Sequence, residues 1–427
     1  MLRKIFTSSL FKSAGIYTVA STINSAIPFF LMPVLTRYMS PDDYGIVAMF
    51  GVLLGLTLPF TGLNVDSSIQ RQYYEKKKIE LSVYIGNCLL ILICSSALIF
   101  LIFYLFAEPI SKLSSFPKSW LWVVIAVSIS QFITFINLTL WQVQLKSRTY
   151  CSYQIAQTIL NVGLSIWFVV GLGMAWQGRI QAQLFTMIAF GCLGLFLLHK
   201  GGYIKLTLSK IYIYNALSFG LPLVPHLLGG AMMTMTDRFF ITNMVGLTST
   251  GLYSVGCQVG MVISLIETSF NRAYVPWLFE RLKKNKRDIN EMIVKVTYVY
   301  FFCLIVIVLG LSMIAPWFLS FFVGEEFAGA NVYVFWIALA YAFSGMYKMV
   351  VNYIFYVQKT YFLAGITFFC GLMNVVLNYF FIKRNGAVGA AQAAALTFFL
   401  FFILTWILSN RVYKMPWLLS WSEHDAF

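Results

Sequence analysis

The sequence predicts an all-α integral membrane protein of twelve transmembrane helices, arranged as two similar six-helix halves. Three observations predict it. Hydrophobic residues make up 60% of the chain and charged residues 11%, with a mean hydropathy of +0.80, far from a soluble globular composition. Twelve stretches are long and apolar enough to cross a bilayer core, which takes about 20 residues of helix. The chain also echoes itself at a constant offset of 201 residues: Arg37 with Arg238, Gly45 with Gly246, Gly55 with Gly256, Asp66 with Glu267, Ser68 with Ser269, Arg71 with Arg272 and Tyr73 with Tyr274. Repeats of half a chain are a common construction of membrane transporters.

The spans are expected at 14–36, 45–66, 82–106, 119–145, 151–174, 179–198, 212–236, 251–275, 293–322, 330–357, 361–382 and 387–409. Span 1 carries Pro28 and Pro33 and closes on Arg37, and span 7 carries Pro222 and Pro225 and closes on Asp237 and Arg238. Proline deletes a helical hydrogen bond, so these matched positions are candidate hinges, with packing kinks as the alternative. Span 2 ends in Asp66, Gln70 and Tyr73, spaced i, i+4, i+7, and span 8 repeats that acid, amide, phenol order in Glu267, Asn271 and Tyr274. Helical geometry puts each triplet on one face, with Arg71 and Arg272 at its edge. Span 4 has a polar stripe of Ser130, Thr134, Asn137, Trp141 and Gln144. Span 10 has the matching stripe Tyr341, Ser344, Lys348, Asn352 and Tyr356, with one charge in it. A second echo, Arg148-Thr149-Tyr150 with Lys359-Thr360-Tyr361, runs at offset 211. Residues 1–205 and 206–427 are thus the expected bundles, joined through the loop from Lys200 to Lys210. Six spans per half is an even number, so both halves enter the membrane in the same direction.

Basic residues set the orientation. With the N-terminus in the cytoplasm, 22 of the 30 Lys and Arg fall on the cytoplasmic side and seven on the other, with Lys348 assigned to neither. That bias follows the positive-inside rule and puts both termini in the cytoplasm. The net charge of +15 is then explained by basic loops held against an anionic leaflet rather than by a nucleic-acid partner. The seven cysteines and three histidines are scattered, without disulfide or metal spacing. No cleavable signal peptide is expected.

Candidate site residues follow from charge at membrane depth. Arg37 and Arg238 stand where basic residues are scarce, and Arg71 and Arg272 stand near the opposite mouth. Each pair is a candidate anchor for an anionic ligand, against the alternatives of helix capping and snorkelling. Lys348, with Asn352 one turn on, is a candidate cavity residue, because an ionisable group inside a span marks a functional site unless it snorkels to the cytoplasmic surface or pairs for stability with Asp66 or Glu267. Asp66, Asp237 and Glu267 are candidate groups for ion coupling, with His226 as a further proton carrier, against the alternative that acids near an interface stay ionised and inert. H+, Na+ and ion-independent flow all stay open, and no cofactor or metal is expected.

The run Pro33-Val34-Leu35-Thr36-Arg37-Tyr38-Met39-Ser40-Pro41-Asp42-Asp43-Tyr44-Gly45, followed by Arg71 after span 2, resembles the opening of Wzx-type polysaccharide-repeat flippases. Asp237-Arg238, Gly251-Leu252-Tyr253 and Gly386-Ala387-Val388-Gly389-Ala390-Ala391 extend the likeness over nearly the whole chain. Those flippases belong to the multidrug/oligosaccharidyl-lipid/polysaccharide exporter superfamily. The resemblance implies two bundles around a central cationic cavity that alternates access, and an undecaprenyl-diphosphate-linked oligosaccharide as substrate, moved from the cytoplasmic to the periplasmic leaflet of a bacterial inner membrane. It also implies a polysaccharide polymerase and a chain-length regulator as partners. Two rivals are weighed. A drug-cation antiporter of the same superfamily would share the fold, whereas a membrane glycan polymerase or ligase would need a large outer loop that this sequence lacks.

Overall fold

A computed structural model describes residue 27 and residues 29–75, 79–284, 287–357 and 361–417. Pro28, most of the expected span 1 and the basic clusters at 1–12 and 76–78 lie outside them. The described residues form helices: α1 (29–38), α2 (Pro41–Thr57), α3 (Asp66–Tyr74), α4 (Leu81–Leu105), α5 (Ala107–Ser114), α6 (Leu121–Val143), α7 (Ser147–Ile166), α8 (Ala175–Lys200), α9 (Lys210–Gly220), α10 (Val224–Met244), α11 (Leu247–Leu282), α12 (Arg287–Phe322), α13 (Asn331–Tyr356), α14 (Tyr361–Asn385) and α15 (Ala387–Val412). Ten of the described helices are long and apolar enough to cross a membrane, and a bent pair makes an eleventh. The large apolar side chains that remain exposed on the spans, among them Ile93, Leu98, Trp167, Phe302, Met313 and Phe321, are the surface that lipid would cover.

Contacts divide the chain into two compact units. One comprises 1–254 with 322–327, and the other 255–321 with 328–427. The first unit is built around Val65, Ile69, Ile85, Ile133 and Ile136. At its edge the first turn of α11 meets the first turn of α2 so closely that a Cβ on Gly45 or Gly251 would strike the backbone of Leu247 or Pro41. The segment between α8 and α9 is strapped to α4. The Asn87 amide donates to the Thr207 carbonyl at 2.9 Å and accepts from the Ser209 N–H at 3.0 Å, while Lys205 pairs with Glu80 at 2.9 Å.

The second unit is built around Ile263, Leu278, Ile293, Leu304, Ala342 and Phe402. The alanines of α15, Ala390, Ala391, Ala393 and Ala394, are all buried, and such small side chains let membrane helices pack closely. Pro276 and Pro316 sit inside the long helices α11 and α12, two positions the sequence reading does not single out.

The largest departure from the expected spans is in the second. Residues 45–66 do not form one helix. The chain bends by 56° between α2 and the stretch from Thr61 to Tyr74, and Gly62, Leu63 and Asn64 take φ of 71°, 50° and 56°. Left-handed backbone costs a non-glycine residue about 1–2 kcal/mol, so the break persists because its surroundings hold it. The Gly62 N–H donates to Ser95 Oγ at 2.8 Å, Thr61 donates to Ser128 Oγ at 3.1 Å, and the Phe132 ring fills the space a Gly62 Cβ would need. The repeat-related stretch, with Ile263 at the position of Gly62, runs as unbroken helix in α11.

Candidate functional site

The break in the first unit places Asp66 at the first position of α3. Asp66 and Asn64 line a cavity of about 280 Å³ with Gly55, Thr61, Phe132 and Leu227. Among the described residues Asp66 makes no ion pair. On the far end of the same short helix Arg71 lies 3.7 Å from Glu75, both largely exposed, a geometry that contributes little stability. Gln72 ties α3 to Asn215 of α9 at 2.7 Å, and the Tyr84 hydroxyl of α4 lies between Ser68 Oγ of α3, at 2.9 Å, and Asn215 Oδ1, at 3.1 Å.

Of the other matched pair, Arg37 ends α1 exposed, and the Gly324 N–H donates to its neighbour Thr36 at 3.2 Å. Arg238 is better enclosed. Its guanidinium donates to the Thr234 carbonyl at 2.8 Å, lies 3.5 Å from Asp237 and covers the Tyr253 ring at 5.8 Å. Asp237 is buried, with the Tyr253 hydroxyl donating to its second oxygen. Arg238 therefore stands beside a carboxylate that already balances part of its charge.

In the second unit the polar stripe of α13 meets the acid, amide, phenol face of α11. Lys348 Nζ donates to Glu267 Oε1 at 2.6 Å and to Thr268 Oγ1 at 3.0 Å. One turn along, the Asn352 amide donates to Asn271 Oδ1 at 3.1 Å. Gly345 makes this register feasible, since a Cβ there would stand 2.9 Å from that of Glu267 and 3.1 Å from the Tyr300 hydroxyl. The pair is unequally covered. The Glu267 side chain is 1% exposed and that of Lys348 29%, and among the described residues Glu267 Oε2 is buried without a hydrogen-bond partner. Of the two partners that the sequence allows Lys348, the structure supplies Glu267. Arg272 is exposed further along α11.

The candidate hinges differ in setting. Pro33 lies within the helical run 29–38. Pro222 falls in a 3-10 turn, Leu221–Leu223, that separates α9 from α10, and Pro225 opens α10.

Two polar clusters escape the sequence reading. Asn374, Asn378 and Thr397 are fully buried between α14 and α15, joined by bonds of 3.2 Å from Asn374 to Thr397 and 3.0 Å from Asn378 to Asn374. Arg179 donates to Asn161 and Ser165, each at 3.0 Å. The i, i+4 asparagines in an apolar helix were a readable signal for the first. Among the described residues no group of three His, Cys, Asp or Glu side chains is placed to hold a metal ion.

The architecture has close structural counterparts. A lipid II flippase, MurJ, in an inward closed conformation superposes with a TM-score of 0.72 at 15% identity, covering 95% of this chain and 87% of that one. An inward-facing multidrug resistance transporter of the MATE family superposes with a TM-score of 0.70 at 13% identity, covering 91% and 94%. The fold of this chain is thus shared with that flippase and that transporter. Residues 10–282 match the family described as polysaccharide biosynthesis protein, and the chain belongs to that family. A protein of Haemophilus influenzae named uncharacterized membrane protein is 26% identical over 385 residues, 86% of this chain and 88% of its own length.

Proposed function

We propose that the protein is a flippase for an undecaprenyl-diphosphate-linked oligosaccharide repeat unit, carrying it from the cytoplasmic to the periplasmic leaflet of a bacterial inner membrane with both termini in the cytoplasm. The repeat supports two bundles, 1–205 and 206–427, that alternate access around a central cavity and flex at Pro28, Pro33, Pro222 and Pro225. Arg71 and Arg272 receive the diphosphate on the cytoplasmic side, Lys348 and Asn352 contact it within the membrane, and Arg37 and Arg238 release it on the other. Asp66, Asp237 and Glu267 are the candidate groups for a driving ion. A polysaccharide polymerase and a chain-length regulator are the fitting protein partners.

The observation that carries this reading is the half-covered ammonium of Lys348 on a membrane-spanning helix, in a chain of the polysaccharide biosynthesis family. Such a charge is costly in a bilayer; Glu267 pairs with it, and the exposure that this pair leaves keeps the ammonium reachable by an anionic headgroup. Reconstitution into vesicles with a fluorescent lipid-diphosphate oligosaccharide tests it. Wild type moves label across the bilayer, and Lys348→Ala inserts normally but does not. Equal flipping with and without protein refutes the reading.

The fold shared with a multidrug transporter supports a second reading, export of an organic cation. Tight binding of such cations by purified protein, with none of lipid diphosphates, would favour it.

A further inference from the structure

We infer that Glu267 and Lys348 form a proton-linked anion latch: an anionic headgroup takes the ammonium of Lys348, and Glu267, left without its counter-charge, takes up a proton from water on Oε2. The inference rests on the flippase reading and adds to it a thermodynamic coupling between substrate and proton.

The geometry assigns the two roles. An ammonium has three donors and no acceptor. Two of the three are directed at Glu267 and Thr268, and the side chain keeps 29% of its surface while that of Glu267 keeps 1%. An incoming anion therefore meets the cation first and the carboxylate scarcely at all. A diphosphate offers charge-assisted bonds of the same kind as the carboxylate, and it can add to Lys348 without the pair first separating.

Once it does, the ammonium is balanced twice over. A carboxylate this deeply covered is costly to keep ionised when its counter-charge is taken elsewhere. Glu267 Oε2, buried and without a hydrogen-bond partner among the described residues, is where the proton goes. The titratable groups around the carboxylate are Lys348 on α13 and Tyr300 on α12, whose hydroxyl lies beside the Gly345 contact. The tyrosine is neutral at ordinary pH and supplies no compensating charge. By linkage, anion and proton then bind with positive cooperativity. The repeat strengthens the assignment. Asp66 keeps the acid in the first half, but the position matching Lys348 at offset 211 is Asn137, whose amide donates to the Ile133 carbonyl at 3.0 Å. The first copy has the acid without the cation, so one latch is built and not two.

Calorimetric titration of the purified full-length protein with farnesyl diphosphate, in buffers of different ionisation enthalpy, tests this. Wild type takes up about one proton more per bound diphosphate than Glu267→Gln does, and its affinity rises by up to about tenfold per unit fall in pH. E267Q binds at least as tightly at pH 8, because the ammonium is already free. Lys348→Met weakens binding at least about tenfold. The E267Q/K348M double variant leaves no buried charge unpaired, so its equal loss of binding excludes misfolding as the cause. Proton uptake that is the same in wild type and E267Q, or wild-type affinity in the double variant, overturns the latch while leaving the flippase reading standing. A wild type that binds no farnesyl diphosphate overturns both.

Discussion

Among the arginines, Arg71 offers the cleanest test of a binding role, because its exposed pair with Glu75 is worth at most about 1 kcal/mol. Arg71→Ala should leave expression and melting behaviour unchanged, so lost flipping in vesicles would report on substrate directly. Guanidinium holds a diphosphate by paired bonds that an ammonium reproduces poorly. Lys variants at Arg37, Arg71, Arg238 and Arg272 should therefore slow flipping and Ala variants slow it more. Normal rates in all four Lys variants would reduce these residues to capping or snorkelling. Gly62 bears on stability instead. Its positive φ and the ring of Phe132 make Gly62→Ala costly by about 1–2 kcal/mol from backbone alone, with the clash added. A lowered detergent-solubilised melting temperature checks this, and Gly62→Ala with Phe132→Ala should recover only the steric part.

The elements show what local pattern can and cannot reveal. The polar stripes of α11 and α13 were legible because side chains three or four residues apart share a helix face. That Glu267 would meet Lys348 and Asn271 meet Asn352 depends on the close packing at Gly345, which no single helix encodes. The broken second span was illegible for the same reason. Thr61-Gly62-Leu63-Asn64 sits in an apolar run, and the hydroxyls that stabilise the break come from Ser95 and Ser128, far along the chain. Arg71 lies in the last turn of its helix beside Glu75, four residues on, a spacing that is readable in the sequence, whereas its exposure follows from tertiary position. The strap before α9 gives a further expected outcome. Asn87→Ala deletes both of its bonds to residues 207 and 209, and each lost bond to a buried group costs about 1 kcal/mol or more, so proteolysis between α8 and α9 should accelerate. The Lys205 hydrogen bond holds the Glu80 carboxyl below its usual range. That contact is complete above the ordinary glutamate range and is lost as pH falls through the lowered value, so the strap should loosen only in acid.

For the molecule as a whole, composition alone fixed the class, and the 201-residue echo predicted a duplicated transporter. The compact units do not follow the halves of the repeat, since 206–254 packs with the first; sequence similarity records descent, whereas contacts record which helices now touch. Alternating access predicts that cysteines at Tyr38 and Phe239, in a background without native thiols, change their labelling by an impermeant reagent when lipid-linked substrate is added. Unchanged labelling would favour a fixed groove along which the lipid slides.

The break after α2 also bears on biogenesis. A nascent chain that has released only its first two spans has no Ser95 or Ser128 with which to meet the amide of Gly62 and the hydroxyl of Thr61. Exposed backbone groups are poorly tolerated in lipid, so that early segment should settle as a straight helix or wait at the translocon. Its bent shape can be reached only after the fourth span has been delivered. Ribosome-stalled chains too short for residue 128 to have left the ribosome should therefore crosslink to the insertion machinery longer than chains in which it has, which makes the second span the last of the first four to reach its final form.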